Sequence, residues 1–248
     1  MLEQRVVEAE LMDQPGLSPH LHRQALAGLR RVNWWSGTAS VVWRQVERLA
    51  RERRLTSLSI LDLACGGGDV ALTLRRRAAQ AGLSVRIHGH DKSETAIGQA
   101  WQSAREAGFG DLVFKTCDVL EPTPSQASDA PSDSHDGAGR AFDVVYSSLF
   151  LHHLSESDGE RLLRRMATLG KHLLMVDDLR RSAAGYWLAQ VGCHLLSRSR
   201  IVHVDGPMSV RAAFRESEAL ALAARAGWQD ARLERHWPQR FLLSWWRS

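Results

Sequence analysis

The chain alternates between short apolar runs and longer segments in which apolar positions recur every three or four residues. The short runs predict buried strands, and the longer segments predict amphipathic helices. From residue 57 onward the two kinds of segment follow one another, which is typical of a parallel sheet covered by helices on both faces. The predicted strands cover residues 58–64, 84–90, 112–117, 141–148, 171–176, 231–237 and 240–246.

Helices are predicted between these strands and also before the first one. Ser18, Asp69, Ser93 and the capping box from Ser157 to Glu160 mark helix starts, and glycines mark several helix ends. The predicted helices cover residues 19–32, 38–53, 70–80, 93–108, 157–169, 182–197 and 217–226.

This order of elements predicts an α/β fold with a doubly wound, Rossmann-like sheet of seven strands. Five strands belong to strand–helix units, and a terminal hairpin around Pro238 supplies an antiparallel last strand at the edge of the sheet. We expect residues 1–56 to form an N-terminal helical extension or lid, with the first seventeen residues poorly ordered or loosely docked. Residues 57–248 form the main domain, with a flexible insertion at 122–140 and a helical lid insertion at 179–215.

The most informative stretch runs from Leu58 to Asp69, where a buried strand enters three consecutive glycines and then a helix. Glycines remove the Cβ atoms from the turn, so a ligand can lie directly against the backbone at the helix N-terminus. Gly66, Gly68 and Ala71 also satisfy a degenerate dinucleotide-binding fingerprint. The loop therefore predicts a nucleotide-like ligand but leaves its chemistry open.

The same residues, read as Asp62-Leu-Ala-Cys-Gly-Gly-Gly68, resemble motif I of the class I S-adenosylmethionine-dependent methyltransferases, with Ala64 where that family most often has glycine. The resemblance implies S-adenosylmethionine as cofactor, with its methionine part over the loop and its ammonium group near Asp62. It also implies that Asp91 meets the ribose hydroxyls and Asp118 the adenine amino group. The cofactor-binding positions predicted in this way are Asp62, Ala64, Cys65, Gly66, Gly68, Asp91, Lys92, Asp118, Val119 and Ser147.

The segment after the fourth strand resembles the His-His-Leu element of many small-molecule members of that family. We predict His152 and His153 as the catalytic residues, because a histidine here could be the general base for a phenol or similar hydroxyl. Each could instead pack beside the cofactor. No metal is expected, since no carboxylate or third ligand lies at suitable local spacing. The Asp177–Asp178 pair is interpreted as a cap on the loop after the fifth strand, and Cys65 as a small residue that fits its loop.

Composition and charge indicate the cellular compartment and the kinds of partner that we expect. The 248 residues carry a formal charge of +4, and no apolar run approaches the length of a membrane span. The three cysteines are isolated from one another, which favours a reducing compartment, and we expect a cytoplasmic protein. Paired arginines are spread over different helices and read as solvated faces, so a nucleic-acid partner is not expected. Four of the nine tryptophans are predicted to build an apolar lid over the methyl group, although any one of them could equally pack an added helix onto the sheet: Trp34, Trp35, Trp43 and Trp187.

These observations favour a methyltransferase that acts on a hydrophobic, aromatic small molecule, with O-methylation preferred over C-methylation. The chain is similar to bacterial methyltransferases of quinone and type III polyketide biosynthesis, which implies a role in secondary metabolism and a monomer or homodimer. The alternatives are an RNA or protein methyltransferase, a cofactor-binding partner subunit without catalysis and, last, a nicotinamide-dependent dehydrogenase.

Overall fold

The computed structural model describes residues 2–8, 10–13, 17–121 and 141–247. The predicted insertion at 122–140 lies outside the described residues. The strands are β1 (Ser57–Leu63), β2 (Ser84–Asp91), β3 (Val113–Thr116), β4 (Phe142–Ser148), β5 (Gly170–Leu179), β6 (Arg232–His236) and β7 (Arg240–Trp246). The helices are α1 (Pro19–Ser36), α2 (Thr38–Arg53), α3 (Asp69–Gln80), α4 (Glu94–Glu106), α5 (Glu156–Leu169), α6 (Ala183–Leu196), α7 (Arg200–Ala212) and α8 (Glu216–Arg225).

The seven strands form one sheet in the order β3-β2-β1-β4-β5-β7-β6. Strands β1 to β5 run parallel, and β7 runs antiparallel to both of its neighbours. The prediction of a doubly wound sheet with an antiparallel last strand is therefore confirmed. Its predicted place at the edge was wrong, because β7 lies between β5 and β6 and the shorter, more polar β6 covers it.

Apolar side chains from the two faces of the sheet form two separate cores. On one face, β1 and β4 pack with helices α2, α3 and α4, and Val42, Leu74 and Tyr146 are fully buried there. On the other face, α5 and α8 cover residues such as Leu61 and Val145. Alternation of side chains along each strand explains this division, since neighbours point to opposite faces. Helix α2 is therefore part of the packed core.

Helices α1, α6 and α7 lie together beyond the carboxyl ends of the strands. Ala25, Cys193, Ile201 and Val202 form a small apolar cluster between them. The sequence pattern missed α7, because Gly206 and Pro207 stand inside it and such residues usually end a helix. Here the glycine is needed, since a Cβ at Gly206 would lie 2.3 Å from the Cys193 sulfur.

The N-terminal segment is held in place by specific contacts. The Arg5 guanidinium donates to the His152 carbonyl at 2.9 Å and lies 3.8 Å from the centre of the Phe214 ring. Further along, the Asp205 carboxylate of α7 accepts from the backbone N–H groups of Leu11 and Met12. The described part of this segment is thus docked against the turn after β4 and against α7, more firmly than the sequence indicated.

Four predicted boundaries were wrong for local reasons. Helix α1 continues past Val32 to Ser36, because the left-handed Gly37 ends it. Helix α3 begins at Asp69, with Gly68 in the capping position. The side chain of Ser155 caps α5 by accepting from the Asp158 N–H, two residues before the predicted start. Strand β5 extends to Leu179 and so includes the Asp177–Asp178 pair.

No helix in the described residues is long and apolar enough to cross a membrane.

Candidate active site

The glycine loop between β1 and α3 is a left-handed backbone turn. Ala64, Gly66 and Gly68 have φ values of 60°, 52° and 75°. A Cβ at Gly66 would meet no atom within 4 Å, so the space in front of the loop is open to a ligand. Ala64 adopts the same backbone region with a Cβ attached, which is strained for an L-residue. Alanine in place of the more usual glycine at position 64 is therefore expected to lower the stability of the fold.

Asp62, at the end of β1, places a carboxylate under the loop. Its Oδ2 atom accepts a 2.7 Å hydrogen bond from the Tyr146 hydroxyl, whereas its buried Oδ1 atom has no hydrogen-bond partner among the described residues. Burial, together with the nearby charges of Asp69 and Asp91, raises the pKa of the Asp62 carboxyl well above its usual range. A cationic group, such as an ammonium, would satisfy this orphaned oxygen.

Cys65 fills space within the loop. Its backbone N–H donates to the His90 carbonyl at 3.0 Å, and its side chain is buried. Burial raises the pKa of the Cys65 thiol well above its ordinary range, so the thiol stays neutral. This environment agrees with the interpretation of Cys65 as a packing residue.

Asp91 joins the glycine loop to the start of α4. One carboxylate oxygen accepts from the Gly66 N–H at 2.8 Å and the other from the Ser93 N–H at 2.9 Å. A carboxylate has about four acceptor positions, so these bonds leave capacity for further donors such as ribose hydroxyls. Lys92 is exposed beside it and also lines the cavity in front of the loop.

The remaining predicted cofactor positions divide between the cavity and the core. Asp118 and Val119 line the cavity, and the Asp118 carboxylate accepts from the Leu120 N–H at 2.8 Å. Ser147 is fully buried in β4, and its neighbour Ser148 reaches the cavity wall. The strict alternation of strand side chains accounts for this difference.

One large cavity of about 750 Å³ opens at this edge of the sheet. Its floor is the glycine loop and the carboxyl ends of β1, β2 and β4. Its roof is formed by α1, α6 and α7, which contribute apolar side chains such as Leu26, Leu188 and Val202 and also polar ones such as Arg30 and Asp205. The volume lies in the range of small-molecule sites, and it exceeds what one modest ligand fills.

His152 and His153 stand together at a polar end of the cavity. Their ring centres are 4.3 Å apart, and both residues line the cavity. His152 Nδ1 lies 2.6 Å from Asp178 Oδ1, and its Nε2 lies 3.6 Å from Glu10 Oε1. Burial disfavours the charged ring, but the two carboxylates outweigh it and raise the pKa of His152 to about 10. With a proton there at neutral pH, His152 cannot accept another, and the ring would serve as a donor.

His153 is less enclosed and retains one quarter of its side-chain exposure. Its Nε2 lies 3.9 Å from the other oxygen of Glu10. Glu10 is a component that sequence reasoning missed, since it belongs to a segment expected to be loosely docked and lies far from the histidines in the chain. No local spacing signal could have found it.

The Asp177–Asp178 pair does not cap a loop, as the sequence had suggested, but lies within β5. Asp177 is 2.8 Å from His236 Nε2 and forms a buried ion pair with Arg240, whose guanidinium also donates to Ser36 and Thr38. Asp178 points to the other side and accepts from the His152 backbone N–H. Because side chains alternate along β5, Asp177 has a structural role in the core, whereas Asp178 lies beside the two histidines.

The prediction that four tryptophans form a lid over the cavity was wrong for three of them. Trp35 lines the cavity and packs edge-on against Trp237 at 5.1 Å. Trp43 is buried in the core under α2, whereas Trp34 and Trp187 are 82% and 66% exposed on the outer surface. The apolar roof is made by aliphatic side chains instead.

A family model described as a methyltransferase domain matches residues 56–188, which is more than half of the chain. The chain belongs to this methyltransferase family. The prediction of a class I S-adenosylmethionine-dependent methyltransferase is therefore confirmed. No curated protein matches the methyltransferase by sequence.

Several solved structures share the fold of this methyltransferase. Magnesium protoporphyrin IX methyltransferase (ChlM) from Synechocystis PCC 6803, solved with bound SAM, is 17% identical, with a TM-score of 0.55 over 96% of this chain and 88% of that one. A SAM-dependent methyltransferase from Aquifex aeolicus is 17% identical, with a TM-score of 0.52 over 80% and 87%. Mitomycin 7-O-methyltransferase MmcR is 21% identical, with a TM-score of 0.53 over 77% and 49%.

Proposed function

We propose that this methyltransferase transfers a methyl group from S-adenosylmethionine to an oxygen atom of an apolar, aromatic small molecule. The observation that supports the proposal best is the cavity of about 750 Å³, whose floor is the glycine loop and whose roof includes many apolar side chains of α1, α6 and α7. Such a cavity has room for an adenosyl cofactor and a second, apolar ligand at the same sheet edge. Two fold neighbours are also named for small-molecule acceptors, magnesium protoporphyrin IX and mitomycin.

The residues at the floor fit the cofactor's chemistry. The bare backbone at Gly66 would lie against its methionine part, and the orphaned Asp62 oxygen would accept from its ammonium group. Asp91 and Asp118 would receive its ribose and adenine donors, with Lys92 and Val119 beside them. The cofactor supplies an activated methyl group on a sulfonium. The protein then contributes alignment and exclusion of water.

The acceptor would lie between the loop and the roof formed by α1, α6 and α7, which we propose to act together as a lid. Its hydroxyl would face the polar end of the cavity, where His152 and His153 stand. Because Asp178 and Glu10 favour a proton on His152, we assign to His153 the role of the base that takes the proton of an acceptor hydroxyl.

The test is a transfer assay with methyl-labelled cofactor and a panel of phenols, hydroxyquinones and hydroxylated polyketide-like aromatics, with products identified by mass spectrometry. We expect a labelled methyl ether on at least one member. An RNA and a protein extract are included as acceptors, and transfer to either one alone would refute the proposal. Calorimetric titration with S-adenosylhomocysteine and NAD tests the cofactor separately, and cofactor binding without any transfer would favour a non-catalytic partner subunit.

A further inference from the structure

Three side chains that can ligate a metal meet at the polar end of the cavity. They are Glu10 from the N-terminal segment and His152 and His153 from the turn after β4, and one ligand atom from each lies within 4.8 Å of the others. Two imidazoles and one carboxylate form a ligand set that is common for divalent transition metals, and this set leaves coordination positions open for a substrate.

A second carboxylate fixes the orientation of one imidazole. Asp178 Oδ1 lies 2.6 Å from His152 Nδ1, and Asp178 Oδ2 accepts from the His152 backbone N–H at 3.0 Å. The opposite ring nitrogen, Nε2, is thereby directed towards Glu10, 3.6 Å away. A bound ion would replace the proton that this nitrogen carries in the metal-free protein, because metal binding releases protons from its ligands. Metal-bound histidines characteristically hydrogen-bond through their second nitrogen to a carboxylate, which sets the tautomer and strengthens the ligand.

The carboxylate of Glu10 is also held before any ion binds. Glu10 is buried, and its Oε1 atom accepts from the Ser209 hydroxyl of α7. The next two residues are tied by their backbone N–H groups to Asp205, at 2.9 and 3.0 Å. The Glu10 carboxylate is thus buried near the two histidines and its segment is held by three hydrogen bonds, a support that a surface cluster would lack.

We propose that Glu10, His152 and His153 bind one divalent transition metal ion, of the Zn²⁺ or Fe²⁺ class, with Asp178 orienting His152. The nitrogen ligands favour such ions over Mg²⁺ or Ca²⁺. All three residues line the cavity, so an ion held by them would be able to take the acceptor's oxygen and lower the pKa of its hydroxyl. This role rests on the proposed function, whereas the binding of the metal does not.

In that role the ion would act as a Lewis acid, would activate the acceptor hydroxyl in place of His153 and would undergo no redox change. The acceptor hydroxyl releases its proton to solvent, and the oxygen remains on the ion. The oxygen then forms a bond to the methyl carbon as the carbon–sulfur bond breaks, and the electron pair of that bond stays on sulfur. The products are the methyl ether and the neutral thioether form of the cofactor.

The experiment uses the full chain, stripped with a chelator and titrated with Zn²⁺ and with Co²⁺ by calorimetry and visible absorption. We expect one ion per chain and a Co²⁺ spectrum with nitrogen ligation. Glu10→Gln and His153→Ala should each weaken binding at least about 10-fold, and Asp178→Asn about 10- to 100-fold. Glu3→Gln in the same segment and the exposed His194→Ala are matched controls that should bind like wild type. Thermal unfolding of each variant checks that it folds.

Absence of binding to the wild-type chain, or equal affinity in wild type, Glu10→Gln and His153→Ala, would overturn the metal site. Methyl transfer that persists fully in the chelated protein would overturn the catalytic role of the ion and leave the proposed function intact. Metal binding without transfer to any phenol would leave the site standing and count against the proposed function alone.

Discussion

Replacing Asp62 with asparagine should make the ligand-free protein more stable and its cofactor affinity lower. In the folded chain the carboxylate is buried, one of its oxygens has no partner among the described residues, and its pKa is raised well above the usual range by burial and by Asp69 and Asp91. Asparagine keeps the shape and can still accept the Tyr146 hydroxyl bond, but it cannot ionise. The position is thus expected to serve binding at the expense of stability.

The magnitude follows from the desolvation of one poorly paired group. Asparagine leaves an unpaired polar atom at the same place, so the gain comes from ionisation alone. Each unit by which burial raises the folded pKa costs the wild type about 1.4 kcal/mol once the pH passes that pKa, and in a chain of this size each kcal/mol corresponds to about 2–4 °C in Tm. The sign depends on pH. The ordinary pKa of Asp62 is 3.8, and its pKa in the folded chain is higher. At a pH between these two values Asp62 is ionised in the unfolded chain but keeps its proton in the folded chain. The stability of the wild type therefore falls as the pH rises through this window. The advantage of Asp62→Asn should therefore grow through that window and then level off.

For the cofactor, the loss is that of a hydrogen bond to a charged group, about 1.5–3 kcal/mol, or about 10- to 150-fold in Kd. The assays are thermal unfolding of the ligand-free protein from pH 5 to 9 and calorimetry with S-adenosylhomocysteine. Tyr146→Phe is the informative partner, because it removes the hydrogen bond that the Tyr146 hydroxyl donates to Asp62 and should lower Tm. Asp230→Asn, an exposed site with the same charge change, is the control. An unchanged Tm together with an unchanged Kd in Asp62→Asn would refute the reasoning.

Four further changes test other parts of the structure. Ala64→Gly removes the strain of a left-handed alanine, which costs about 1–2 kcal/mol, but it also adds the flexibility of glycine to the unfolded chain. Denaturant titration should therefore show an unfolding free energy that is higher by up to about 1 kcal/mol. A lower unfolding free energy would contradict the strain at φ 60°. Arg240→Met removes the Arg240 partner of the buried Asp177 and should lower the unfolding free energy by about 3–5 kcal/mol. Its control is Glu52→Gln, which removes the exposed ion pair with Arg48 and should change the unfolding free energy by less than about 1 kcal/mol. Gly192→Leu extends a side chain into the open cavity and should reduce kcat/KM for bulky acceptors with unchanged cofactor affinity, while the exposed neighbour Val191→Leu should alter neither. Burial raises the pKa of Cys193 from about 9 to about 11, so stability should fall as pH rises across that interval, and Cys193→Ala should remove this part of the decline in pH-dependent unfolding.

The sequence by itself determined the sheet and the glycine loop. Strand and helix periodicities are local, and the glycine loop is a contiguous motif, so Asp62, Gly66 and Asp91 could be located from the pattern that carries them. The carboxyl ends of parallel strands necessarily meet at one edge, which is why residues at successive strand ends could be placed together before the structure was known.

Only the tertiary structure decided what surrounds the reacting end of the cavity. Glu10 reaches the histidines because Asp205 and Arg5 tie the N-terminal segment across the fold, and no spacing in the chain encodes that approach. The separate roles of Asp177 and Asp178 depend on which face of β5 each occupies and on what packs there. Helix α7 forms despite Gly206 and Pro207 because packing against α6 outweighs a weak local propensity. Long-range contacts of this kind depend on the free energy of the whole fold, which no single segment contains.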